Sequence, residues 1–112
     1  MKRRKTELNL LDFKPRRLFE HQLDGERVTV LVPKYRTRWL QWLQHRLARP
    51  YWKLHLDEIG TAVWLECDGQ RTVAEIGQHL KDEFGEAIEP VWERLPAFLS
   101  QMRRGELIEL GI

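Results

Sequence analysis

The side chains able to make and break bonds are four histidines, one cysteine and scattered carboxylates, and their spacing assembles no reaction centre. His21, His45, His55 and His79 stand far apart with no HxxxH pair, and Cys67 has no CxxC partner. Metal ligation therefore has no spacing signal. Cys67 recurs on the apolar face of a predicted helix, the setting of a structural thiol rather than a nucleophile. Neither a glycine-rich phosphate loop nor a nucleophile elbow occurs. Asp57 with Glu58, and Asp82 with Glu83, are neighbours on helices, so they point apart and serve as caps or surface charge. The inventory reads as a non-enzyme with no cofactor, whose function must lie in a binding surface.

Composition narrows the class further. A chain of 112 residues fits one domain, and 42% hydrophobic content supports a modest core. With 19 basic and 17 acidic side chains the net charge is +2, too weak by itself to imply nucleic acid. A single cysteine excludes an intramolecular disulfide. No apolar run is long enough for a membrane span, and the basic start lacks the apolar region of a signal peptide, so the expected location is cytoplasmic.

Positioning any binding surface falls to the stretch 51–84, where the hydrophobic period changes. Trp52, Leu54 and Leu56 alternate with Tyr51, Lys53 and His55, the pattern of a half-buried strand. Asp57 offers an N-cap to a helix bearing Ile59, Val63 and Cys67, and Gly69 is placed to stop it. Thr72 and Glu75 form a capping box for a second helix whose apolar face is Val73, Ile76, Leu80 and Phe84, with Gly85 at its end.

The flanking segments complete the plan. Lys2, Arg3, Arg4 and Lys5 have nothing apolar to bury, so 1–16 reads as a flexible basic arm and 17–112 as the domain. Asp24-Gly25 signals a hairpin; pairing Leu23 with Glu26 would set His21 opposite Val28 and Phe19 opposite Val30, with Phe19, Val28, Val30 and Val32 toward the core. The segment 35–50 predicts an inserted helix with an apolar stripe of Trp39, Leu40, Trp42, Leu43 and Leu47. Two tryptophans beside Arg36, Arg38, Arg46 and Arg49 fit a core cover, and they also fit a docking surface or a membrane-interface helix. A third helix begins near Pro90 with Val91, Leu95, Phe98, Leu99 and Met102 in line, Pro96 predicting a kink and Gly105 a stop. Residues 106–110 suggest a short closing strand. The fold class is α+β, with strands near 18–23, 27–32 and 52–56 followed by three helices.

The run LDEIGTAVWLECDGQRTVAEI, together with the later Glu93-Arg94-Leu95 and Phe98-Leu99, resembles the PqqD-like family of small winged-helix-like domains, also called RiPP recognition elements. The resemblance extends over about 18–108 and implies a winged helix-turn-helix architecture and peptide binding rather than catalysis. In that family the leader of a ribosomally made precursor peptide lies between the third strand and third helix, and a radical SAM enzyme modifies the peptide. Carried over by position, Lys53, Leu54, His55 and Leu56 supply strand backbone, while Trp92, Leu95, Leu99 and Arg103 are candidates for the helical wall. Leu95 and Leu99 equally fit ordinary core; Trp92 falls beside the main apolar stripe. Arg38, Trp39, Trp42 and Arg46 sit in the insertion, which departs from the family's shorter link, and are candidates for docking the modifying enzyme. A winged helix could instead read DNA, but Glu86, Glu89 and Glu93 open the helix that would meet phosphate. A homodimer stays open.

Overall fold

A computed structural model describes residues 9–34 and 51–111; the inserted helix expected over 35–50 and the basic residues 2–5 lie outside the described residues. Strands β1 (Lys14–Arg17), β2 (His21–Asp24), β3 (Arg27–Pro33) and β4 (Tyr51–His55) precede helices α1 (Glu58–Glu66), α2 (Val73–Phe84) and α3 (Val91–Arg104), and β5 (Ile108–Gly111) closes the chain. The order β2-β3-β4 makes a three-stranded antiparallel sheet, and β1 pairs with β5 in a second one. The α+β class and the strand-to-helix switch at Asp57 are as expected.

The hairpin register is corrected. Asp24 pairs with Arg27, Leu23 with Val28 and His21 with Val30, so Gly25 and Glu26 form the turn. Of the two, Gly25 alone has positive φ, at +67°. That is the demand of a type II′ turn, whereas centring the turn on Asp24 would force aspartate to positive φ as well. The slip is two residues, and an even slip leaves every side chain on its original face. Val28 and Val30 are accordingly fully buried and Val32 nearly so.

Strand β1 has no alternating pattern, and Pro15 sits within it opposite Leu110. The strand is sewn to the α1–α2 loop by the Arg17 N–H to the Cys67 carbonyl (3.0 Å) and the Gly69 N–H to the Pro15 carbonyl (2.9 Å). Residues 9–16, placed by sequence in the arm, thus carry a 3-10 turn at Leu10–Asp12 and most of β1.

The core lies beneath β3. Trp64 is fully buried among Val63, Ile76, Leu80, Leu95 and Leu99, and its indole N–H donates to His21 Nδ1 at 3.1 Å. The Arg17 guanidinium donates to the Trp64 and Leu65 carbonyls, closing the C-terminal end of α1. Cys67 is buried, and burial pushes its thiol up to about 12, well out of thiolate range at neutral pH.

The helix starts follow the sequence closely. Asp57 Oδ1 accepts from the Gly60 N–H (2.7 Å), Thr72 Oγ1 from the Glu75 N–H (3.2 Å), and Glu75 Oε1 from the Thr72 N–H (2.8 Å). The Thr72 backbone N–H, then its hydroxyl, hold the Glu75 carboxyl below its ordinary value. A depressed carboxyl stabilises the fold above its unfolded-state value and loses that contribution as pH falls through the folded one. Through loss of its N-cap bond, Thr72→Ala should lower stability by about 1 kcal/mol at neutral pH, and the Glu75 linkage makes the difference smaller in acid. Coincident denaturant midpoints for the two proteins at neutral pH would contradict the cap.

Helix α3 differs from expectation at both ends. Pro90 occupies the N-cap rather than the first helical position, and the helix continues through Pro96. At the far end Gly105 keeps φ at −77° while Glu106 takes the left-handed conformation at +60°. The Glu106 N–H donates to the Arg103 carbonyl and the Leu107 N–H to the Met102 carbonyl, completing a Schellman motif one residue later than the glycine implies.

Candidate functional site

Strand β4 forms one margin of the three-stranded sheet, β3 being its one strand neighbour among the described residues. Its pairing runs from Tyr51 opposite Pro33 to His55 opposite Thr29. Beyond the strand, the Leu56 N–H donates to the Val28 carbonyl at 3.0 Å. Antiparallel pairs alternate between bonded and non-bonded, so Trp52 and Leu54, in step with Leu56, direct their backbone groups toward β3. Tyr51, Lys53 and His55 consequently direct N–H and C=O away from β3, toward the margin that no described strand covers.

All five residues of β4 are exposed, which corrects the expected half-buried strand. Opposite residues share a face, so Trp52 and Leu54 lie on the side of Val32 and Val30. Yet Trp52 is 63% and Leu54 38% exposed, against 7% and 0% for their partners. The helices pack under β3, and of this row only Leu56 reaches the core. Lys34 Nζ sits 4.7 Å from the Trp52 ring centroid, a cation over an aromatic face at the end of the strand.

On the other face a hydrogen-bonded chain crosses the sheet. The Thr29 hydroxyl donates to Asp24 Oδ2 (2.6 Å), and its oxygen lies 3.0 Å from His55 Nδ1. Thr29 and His55 form a non-bonded pair, where side chains approach most closely.

Beside the end of β4 lies a cleft of about 150 Å³ lined by Asp57, Ile59 and Gly60 at the start of α1 and by Arg94, Leu95 and Phe98 of α3. A helix turns about 100° per residue, which puts Arg94 and Phe98 on one flank of α3 and Trp92 and Arg103 on the other. Trp92 lies against α2: a methyl at Gly77 would overlap the far edge of its ring. Leu95 and Leu99 are buried in the core, and Arg103 is exposed. The structure therefore places Lys53, Leu54 and His55 in β4, leaves Leu56 just beyond it in the core, and sets Trp92 and Arg103 across α3 from the cleft. Arg94 and Phe98 were not singled out by the sequence as lining residues, although their i, i+4 spacing beside Leu95 was the available signal. Arg38, Trp39, Trp42 and Arg46 lie outside the described residues.

Among the described residues no group of histidine, cysteine and carboxylate side chains could hold a metal ion, and no helix is long and apolar enough to cross a membrane. A family model described as coenzyme PQQ synthesis protein D (PqqD) matches residues 50–108, just over half the chain. The match starts at β4 and takes in all three helices, leaving the β2–β3 hairpin outside it. No curated protein and no solved structure matches the chain.

Proposed function

The chain belongs to the coenzyme PQQ synthesis protein D (PqqD) family, and from that premise we propose that it is a non-catalytic adaptor that captures the leader of a ribosomally made precursor peptide by strand addition at β4. It presents that peptide to a radical SAM or other modifying enzyme. Its helices take the winged helix-turn-helix role, and the observation that carries the reading is the outward-facing row of N–H and C=O groups at Tyr51, Lys53 and His55. An extended chain satisfies such a row by main-chain hydrogen bonds, and neighbouring pockets receive its side chains. The cleft at Arg94 and Phe98 supplies one such pocket, and Lys53, His55, Trp92 and Arg103 remain candidate contacts. Arg38, Trp39, Trp42 and Arg46 are proposed to dock the enzyme, leaving the strand free for the leader.

An NMR titration of the full chain with leader peptides from precursors encoded beside it tests the reading. The amides of Lys53 and His55 should shift and become protected from exchange, and the Phe98 ring should shift with them. Responses confined to 35–50, with the β4 amides unmoved, would move the binding surface away from the strand.

A further inference from the structure

The two faces of β4 differ in chemistry, and a strand laid along it would meet both. One face carries Trp52 and Leu54, exposed and apolar. The charged and ionisable side chains of the other face are Asp24, Arg27, Tyr51, Lys53 and His55 in the three strands and Glu20 just before β2, whose carbonyl accepts from the Leu31 N–H. Asp24 already accepts the Thr29 hydroxyl and Glu20 lies across β3 from Lys53, so on this face β4 itself presents Tyr51, Lys53 and His55 and no carboxylate.

The proton positions in the cross-sheet chain follow from donor inventory. A carboxylate only accepts, so the Thr29 hydroxyl proton is committed to Asp24. Its oxygen can then only accept from His55, which places a proton on Nδ1 and turns Nε2 outward. Protonating Nε2 leaves this chain intact, because Nδ1 still donates. His21 behaves oppositely: its Nδ1 accepts from Trp64, and protonation there would break that bond. Of these two histidines, His55 is the one whose bond within the sheet does not require an unprotonated Nδ1.

We propose, on the strand-addition reading above, that β4 selects a segment in which apolar side chains alternate with acidic ones, the acidic side chains facing Lys53 and His55. Residues directly opposite in a strand pair interact through their side chains, opposite charges favourably and like charges unfavourably. Lys53 and His55 are the specificity-determining residues; Thr29 and Asp24 are positioning residues that fix the imidazole.

The test uses the full chain and three soluble synthetic peptides in which valine alternates with glutamate, glutamine or lysine. The glutamate peptide should bind about tenfold more tightly than the lysine peptide, and Lys53→Glu should reverse that order. His55→Gln, a change on an exposed margin, should weaken the preference for the glutamate peptide over the glutamine one. Thr29→Val should shift the His55 ring nitrogen resonances away from the Nδ1–H tautomer and weaken the glutamate preference, and Thr29→Ser should restore both. Equal affinities for the three peptides, with β4 amides protected, would overturn the charge readout while strand addition stands. No response of the β4 amides to any of them would overturn both.

Discussion

Thr61→Val should destabilise the protein by about 2 kcal/mol without changing its shape. Val28 is fully buried, and its carbonyl accepts from the Leu56 N–H across the sheet. The return bond that an antiparallel ladder would supply to the Val28 N–H is absent, because the chain leaves β4 at His55 and turns at Asp57 into α1. The Thr61 hydroxyl oxygen takes its place, accepting that N–H at 2.9 Å from the first turns of the helix. Valine matches threonine in shape, so no cavity opens; the loss is a buried donor left without a partner, which costs roughly 1 to 3 kcal/mol. Thr61→Ser keeps the acceptor and should fall much closer to the parent. Equilibrium unfolding in urea reads the difference, and a valine variant as stable as the serine variant would show that this bond does not tie helix to sheet.

The same bond shows why some of the fold was legible in sequence and some was not. Caps are local: Asp57 needs only Gly60, and Thr72 only Glu75, so residue types three positions apart suffice to read them. The inward face of β3 was equally readable, since Val28, Val30 and Val32 alternate. Strand β1 was not, because what makes it a strand is Leu110 and Gly69, far along the chain, and not its own Lys14-Pro15-Arg16-Arg17. Turn chemistry was ambiguous for a different reason. Asp24-Gly25 and Gly25-Glu26 both satisfy a two-residue loop, and the choice falls to Asp24's hydrogen bond with Thr29 within the sheet.

The candidate site divides along the same line. That residues 53–55 form a strand could be read from the alternation of Trp52 and Leu54 with Tyr51, Lys53 and His55. Which flank of the third helix faces the cleft could not be read, since Leu95 and Leu99 lie in the apolar stripe, Trp92 and Arg94 border it on opposite sides, and only packing tells the two sides apart. Gly77 decides the matter: lacking a side chain, it lets α2 accept the Trp92 ring, which turns the opposite flank, with Arg94 and Phe98, toward the cleft. Sequence periodicity gives a stripe's width and not which edge of it meets which neighbour.

Lys53→Pro should reduce leader-peptide affinity by tenfold or more while the domain stays folded, whereas Leu54→Pro should damage the fold itself. The two positions are adjacent, and the difference comes from the alternation of the ladder. The Leu54 N–H faces β3, where its pair is Val30, so proline there removes a structural bond beside the core. The Lys53 N–H faces the open margin, where proline is compatible with an edge strand and removes only a donor that an added strand would use. A peptide carbonyl left without that donor loses on the order of 1 to 3 kcal/mol, which corresponds to roughly five- to a hundredfold in affinity. Lys53→Ala separates the backbone from the ammonium: it keeps the N–H and should lose only the charge contribution. Circular dichroism and unfolding midpoints establish which variants are folded, and calorimetric titration gives the affinities. Should Lys53→Pro bind as tightly as Lys53→Ala, the backbone of β4 would not be the receiving edge, and the cleft at Phe98 would have to hold the peptide through side chains alone.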